Sequence, residues 1–167
     1  MNRDQERDAA LARAVRLREH GQTVEARERL VALAEQYPQD VEIAYQAAWV
    51  HDVLGLEEEA VPFYERSLSG PGLVEEDRHG AFLGLGSTYR VLGRAEQSLR
   101  TLRRGLEEFP LDPALQAFLA MALYSTGEGR EAVRTLLKVL AATSSDQRVQ
   151  AYRRAIDHYA DDLDGVL

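Results

Sequence analysis

Apolar and polar residues follow a helical period along almost the whole chain. Apolar side chains recur three or four positions apart, which is typical of amphipathic helices that bury one face. A glycine interrupts this pattern four times, and a small residue follows each glycine five positions later. The pairs are Gly21 with Ala26, Gly55 with Ala60, Gly93 with Ser98, and Gly127 with Ala132. Each pair predicts two closely packed helices joined at the glycine, because glycine readily takes the positive φ that ends a helix.

The steps between the four glycines define a repeating unit. They are 34, 38 and 34 residues, so a 34-residue unit carries four additional residues between Gly55 and Gly93. The turn-forming residues Gly70, Pro71 and Gly72 place this insertion nearby, at 75–78. The predicted units are 7–40, 41–78, 79–112 and 113–146, followed by a capping helix at 147–163. Since one helical hairpin cannot bury its own apolar face, we expect the units to stack as a single domain over 1–167.

These units resemble the tetratricopeptide repeat, a helix-turn-helix of 34 residues. The third unit carries the resemblance best, with residues close to the family pattern at Phe82, Leu85, Gly86, Tyr89, Gly93 and Pro110. The stretch 44–142 is also similar to a small stand-alone bacterial tetratricopeptide family of undefined molecular function. The resemblance implies an all-α fold, a right-handed α-solenoid of four hairpins with a C-terminal capping helix. The sequence departs from the family pattern at Ser98, Gly105 and Pro62, and Pro62 lies inside a predicted helix.

The composition narrows the classes of partner and compartment. The chain has no cysteine, which excludes disulfides and thiolate metal sites. Its net charge of -8 disfavours nucleic acid, whose phosphates repel an acidic surface. No apolar run approaches the roughly 20 residues that span a bilayer, and the first residues do not read as a secretory signal. We therefore expect a cytoplasmic protein that binds neither nucleic acid nor a membrane.

The resemblance also implies where a partner would bind. In this architecture the first helix of each unit lines a concave groove, and positions two, five, nine and twelve of that helix face it. Small residues at Gly80, Gly84 and Ser87 would form the middle of this groove, between aromatic walls. The partner-binding residues predicted in this way are Tyr45, Trp49, Asp52, Ser87, Arg90, Phe118, Met121, Tyr124, Arg148 and Tyr152.

Two of these residues have a second interpretation. Trp49, the only tryptophan, either faces a ligand or wedges between neighbouring first helices. Arg90 either pairs with a carboxylate of the ligand or forms an internal ion pair with Asp52 or Glu42. Tyr64 and Tyr89 occupy core positions and are expected to pack.

Signatures of catalysis or of cofactor binding are missing from the sequence. His51 and Asp52 are adjacent, so they point about 100° apart on a helix and share no face; His51 is expected in the core. No nucleophile elbow or phosphate-binding glycine loop occurs. We therefore expect no enzyme, no cofactor and no metal. The principal hypothesis is an adaptor or scaffold that binds a peptide or helix of a partner protein. A self-associating structural protein, such as a homodimer, and a small-molecule sensor using the same groove are the alternatives.

Overall fold

The computed structural model describes residues 2–165, and all regular secondary structure in that range is helical. This confirms the expected all-α class. The helices are α1 (Arg3–Glu19), α2 (Thr23–Gln36), α3 (Val41–Val53), α4 (Glu57–Ser67), α5 (Glu75–Val91), α6 (Ala95–Glu108), α7 (Pro113–Ser125), α8 (Gly129–Thr143) and α9 (Gln147–Asp161).

The four turn glycines end α1, α3, α5 and α7, as their spacing predicts. Each has a positive φ between 68° and 86°, the left-handed conformation that residues with a side chain rarely adopt. The small residues that follow them are all buried in the next helix. Glycine therefore reverses the chain, and the small residue lets the second helix of each pair lie close against the first.

Aspartate caps mark the start of three odd-numbered helices. The carboxylates of Asp40, Asp112 and Asp146 accept hydrogen bonds from first-turn backbone N–H groups of α3, α7 and α9. Val74 precedes α5 without a side-chain cap. The four residues that precede α3, α5, α7 and α9 are 34, 38 and 34 positions apart, the same steps as between the turn glycines. Helix α5 has 17 residues, whereas α3 and α7 have 13 each. The four additional residues, 75–78, thus form an extra first turn of α5.

The helices pack in two layers. Every helix contacts its neighbours along the chain, and α1, α3, α5 and α7 also contact one another in succession. Within residues 2–165 the even-numbered helices make no such contacts with each other. The odd-numbered layer is therefore the tighter one, so it forms the concave side of the stack.

Two apolar clusters run along the stack. One joins α1, α2 and α3 around Leu30 and Ile43, and the other extends from α3 to α8 around Phe82 and Leu115. Phe63 of α4 packs against both clusters and connects them. In α9 only Ala160 is fully buried, and α9 contacts α8 but not α7. The concave layer is consequently continuous from α1 to α7 and stops before α9.

Candidate functional site

A depression on the concave side lies between α3, α5 and α7. Its volume is about 430 Å³, and it is open to solvent along one side. Five of the predicted groove residues contribute to its wall, together with neighbours from the same helices and Tyr64 of α4. The lining residues are Tyr45, Trp49, Asp52, Val53, Tyr64, Gly80, Leu83, Gly84, Ser87 and Phe118.

Gly80 and Gly84 of α5 line the depression, where each lies against the hydroxyl end of a tyrosine. A Cβ atom on Gly80 would overlap the Tyr45 hydroxyl oxygen, and one on Gly84 would overlap the Tyr64 hydroxyl in the same way. Each glycine therefore makes room for the hydroxyl end of a tyrosine from the preceding helix pair. The two tyrosines are buried, and their rings lie 6.4 Å apart. The glycines determine how closely α3 and α4 approach α5.

The carboxylate of Asp52 is held by two hydroxyl groups. The Tyr64 hydroxyl donates to Oδ2 at 2.7 Å, and the Thr88 hydroxyl donates to Oδ1 at 2.9 Å. Burial raises the pKa of Asp52 above its ordinary value, although the two hydrogen bonds act in the opposite direction. Burial, followed by the charge of Asp52, raises the pKa of Tyr64. Tyr64 therefore stays protonated as the donor, and α3, α4 and α5 are joined through one carboxylate.

Arg90 does not form either of the ion pairs proposed for it. Asp52 is bonded to Tyr64 and Thr88, and the Glu42 carboxylate pairs with Arg7 at 2.7 Å. Arg90 is half-buried, and its Nε has no hydrogen-bond partner in the described part of the chain. It also does not line the depression. The internal-pair interpretation is therefore wrong. Hydroxyl groups are bonded to the carboxylate of Asp52, and Arg7 is paired with that of Glu42.

Trp49 lies on the wall of the depression and carries an arginine on its ring. The guanidinium carbon of Arg18, from α1, is 3.5 Å from the ring centroid, and the Tyr45 ring is 5.8 Å away. Trp49 is nevertheless 40% exposed. It therefore contacts a neighbouring first helix, and the rest of its ring faces solvent; its contact with a ligand stays a prediction.

The other predicted groove residues outside the depression are on α7 and α9. Met121 and Tyr124 of α7 and Tyr152 of α9 are among the exposed large apolar residues, with Tyr124 at 77%. Arg148 is also exposed, at the start of α9. Because α7 and α9 do not touch, Arg148 and Tyr152 of α9 are not joined to the wall of the depression, and their role in binding stays a prediction.

Sequence reasoning missed two residues that shape the depression, Tyr64 and Thr88, and also missed the contact between Arg18 and Trp49. Tyr64 and Thr88 hold Asp52, and Arg18 covers part of Trp49. Tyr64 was expected to pack only, and nothing in the sequence pattern connects Thr88 with Asp52, which lies 36 positions earlier. His51, by contrast, is buried as expected and stacks on Phe63 with ring centroids 5.1 Å apart.

The structure of residues 2–165 also bears on metal binding and on membrane insertion. No group of three or more histidine, aspartate or glutamate side chains is placed to hold a metal ion there. Every helix in the same range is too short or too polar to cross a bilayer.

Comparison with solved structures places the fold among tetratricopeptide solenoids. "Crystal structure of MamA protein" superposes with a TM-score of 0.68 at 13% identity, covering 96% of this chain and 78% of that one. "MamA 41-end from Desulfovibrio magneticus RS-1" gives 0.68 at 18%, covering 93% and 86%. A Podosopora anserina putative kinesin light chain with nearly identical TPR-like repeats gives 0.67 at 20%, covering 96% and 87%. At these identities the likeness concerns the fold.

Comparison of the sequence itself gives the family. No curated protein matches it. The family model described as "Tetratrico peptide repeat" matches residues 41–163, from the first residue of α3 to just beyond the end of α9. Helices α1 and α2 precede the matched range but pack in the same two layers. With most of its length matched, the chain belongs to the tetratricopeptide repeat family, as its glycine spacing and its all-helical fold indicate.

Proposed function

We propose that this protein is an adaptor or scaffold that binds a peptide or a helix of a partner protein on its concave side. Tetratricopeptide repeat proteins generally mediate protein–protein interactions, and the fold is typically a non-enzymatic scaffold. The observation that supports a specific site is the convergence of Tyr45, Trp49 and Phe118 on one open depression. Aromatic side chains are strong anchors in interfaces because they bury a large area with few rotatable bonds.

The shape of the depression favours a peptide over a small metabolite. Sites for small ligands usually bury most of the ligand surface. This depression is open to solvent, and Met121 and Tyr124 are exposed on α7, the helix that contributes Phe118 to its wall. An extended or helical segment could contact both regions at once, whereas a metabolite would occupy the depression only.

The proposal is tested by selecting short capped peptides from a displayed library on the immobilised protein and measuring their affinity in solution. Trp49→Ala and Tyr124→Ala each remove a partly exposed aromatic group, and we expect each to weaken binding about tenfold or more. Arg103→Ala, on an exposed position of α6, is the matched control and should leave the affinity unchanged. Equal affinities for all four proteins would show that the concave side is not the binding site.

Self-association is a second candidate, supported by an exposed apolar stripe on α8. Val133, Leu136 and Leu140 are each more than 40% exposed and are spaced so that they share one face of the helix. A second copy packed on this stripe would bury it. Sedimentation velocity over a range of concentrations tests this candidate, since a monomer at all concentrations would eliminate it.

A further inference from the structure

Asp52 is a partly buried carboxylate with no positively charged partner in the described part of the chain. Its two hydrogen-bond donors, Tyr64 and Thr88, are neutral hydroxyl groups. None of the salt bridges formed within residues 2–165 includes it. Asp40, at the opposite end of α3, is instead paired with Arg7. The wall of the depression therefore includes a carboxylate that forms no ion pair within the described residues.

The same wall already holds a cation on one of its rings. The guanidinium of Arg18 lies 3.5 Å from the centre of the Trp49 ring, which is the arrangement of a cation–π contact. Its Nη1 is buried without a hydrogen-bond partner. Burial lowers the pKa of Arg18, while nearby negative charges such as that of Asp77 act in the opposite direction. The chain thus shows, with its own side chain, that this aromatic wall accepts a guanidinium.

Acidic residues at the start of α5 extend the negative field to the Tyr45 side of the depression. The extra first turn of α5 carries Glu75, Glu76 and Asp77. Burial and then the charge of Asp77 raise the pKa of Tyr45 to about 12, so Asp77 acts on a side chain that lines the depression. Burial, followed by the charges of Glu42 and Glu76, also raises the pKa of Asp77. A cation bound nearby would relieve this repulsion.

Taken together with the proposed function, on which this step rests, these observations identify the chemistry of the occupant. We propose that the depression binds a basic side chain, arginine or lysine, carried by the partner segment. The carboxylate of Asp52 supplies the charge partner, and the rings of Trp49 and Phe118 pack against the aliphatic stem. The net charge of -8 on the whole chain would in addition accelerate the approach of a basic segment.

The test compares basic peptides with neutral ones on three proteins. Capped peptides that differ only in arginine or citrulline, a neutral isostere, are titrated into the wild type, Asp52→Asn and the control Glu96→Gln. Glu96 is an exposed residue of α6, so its variant removes the same charge outside the depression. Trp49 is the only tryptophan, and its fluorescence reports binding at this wall directly.

We expect the arginine peptides selected on the wild type to bind at least about tenfold more weakly when arginine is replaced by citrulline or when Asp52 is replaced by asparagine. Glu96→Gln should bind as the wild type does, and added salt should weaken every interaction that involves arginine. Circular dichroism and a thermal midpoint check that Asp52→Asn is folded. Ser87→Lys, which places a competing cation at the wall without removing the Asp52 hydrogen bonds, should give the same loss.

Each other outcome has a definite meaning. If peptides bind and depend on Trp49 but show no preference for arginine or lysine, or if Asp52→Asn and Ser87→Lys leave the affinity unchanged, the basic side chain is ruled out and the concave binding site is retained. If no selected peptide depends on Trp49 or Tyr124, the concave site is itself wrong and the inference falls with it.

Discussion

At the scale of single residues, Gly80 and Gly84 connect packing to the candidate site. Each lacks the side chain that would collide with a tyrosine hydroxyl, and that close approach places Tyr64 where it can donate to Asp52. A methyl group added at either glycine should therefore displace a tyrosine that lines the depression.

Gly80→Ala should destabilise the protein because its methyl group would overlap the Tyr45 hydroxyl. We expect a loss of about 1–3 kcal/mol in the free energy of unfolding, the usual cost of overpacking. Tyr45→Phe removes that hydroxyl oxygen, so the double variant should lose less than the sum of the single variants. Urea denaturation of the four proteins measures this coupling. Additive losses would mean that Tyr45 does not occupy the space beside Gly80.

Asp52→Asn should change stability in a pH-dependent way. Burial raises the folded-state pKa of Asp52 above its ordinary value of 3.8, so its contribution to stability is full below that value and is lost as the pH rises through the folded pKa. Asparagine does not ionise. The stability of the variant relative to the wild type should therefore be highest near neutral pH and should fall as the solution is acidified.

Urea titrations of the two proteins at several pH values provide the measurement. Only the pH dependence of the difference is diagnostic, since asparagine also alters the hydrogen bonds to Tyr64 and Thr88. A difference that stays constant, or grows toward acid, would contradict the raised pKa.

At the scale of helices, Asp40 shows how one residue both starts an element and attaches it. Its carboxylate accepts from the backbone N–H groups of Glu42 and Ile43 at the start of α3. It also accepts two hydrogen bonds from Arg7 of α1, at 2.7 and 2.8 Å. Burial alone would raise the pKa of Asp40, but the hydrogen bond from Arg7 and those from the backbone outweigh it and lower the pKa.

Asp40→Ala should lower the free energy of unfolding by about 1–3 kcal/mol, because it removes a helix cap and leaves a half-buried arginine without its main partner. Asp146→Ala is the matched control. Asp146 caps α9 through Arg148 and Val149 but is exposed, so its loss should cost about 1 kcal/mol or less. Equal losses measured by urea denaturation would show that Arg7 adds nothing to the cap.

The effect of Asp40 should also disappear in acid. A lowered folded-state pKa contributes stability above the ordinary value of 3.8, and that contribution is lost as the pH falls through the folded pKa. The wild type should therefore exceed Asp40→Ala in stability at neutral pH, and this difference should shrink at low pH. The direction is opposite to that expected for Asp52→Asn, because the folded-state pKa of Asp40 is lowered and that of Asp52 is raised.

At the scale of the whole molecule, stability should decline toward the C-terminal end of the stack. Each helix pair in a solenoid is stabilised mainly by its neighbours. Helix α5 contacts α3, α4, α6 and α7, whereas α9 contacts α8 alone. Tyr152 and Tyr159 of α9 are exposed, so few of the apolar side chains of α9 hold it against the stack.

Amide hydrogen exchange should therefore be at least about tenfold faster in α9 than in α5, because local opening of α9 exposes little buried surface. Exchange measured by mass spectrometry on peptic fragments resolves the two helices. Equal protection would mean that another surface covers α9 in solution, an outcome that would favour self-association over the monomeric adaptor.

The sequence alone was sufficient to predict the helix pairs and several residues of the concave side. Helical periodicity and turn glycines are local properties of the chain, so the helix pairs, the positive φ at Gly55 and Gly93, and the burial of Ala60 could be predicted from spacing. The resemblance to the tetratricopeptide repeat implied that Trp49 and Ser87 belong to the inner layer. Helix geometry determines which side chains share a face, whatever that face later contacts.

Tertiary structure decided what those inner side chains touch. The sequence pattern suggested Arg90 as the partner of Asp52, but Tyr64 and Thr88 hold it, and Arg18 stacks on Trp49 from a different helix pair. Such contacts join residues more than ten positions apart and depend on the distances and angles between packed helices. Those distances follow from the volumes buried between helices, such as the tyrosine hydroxyls seated against glycine, and no local pattern encodes them.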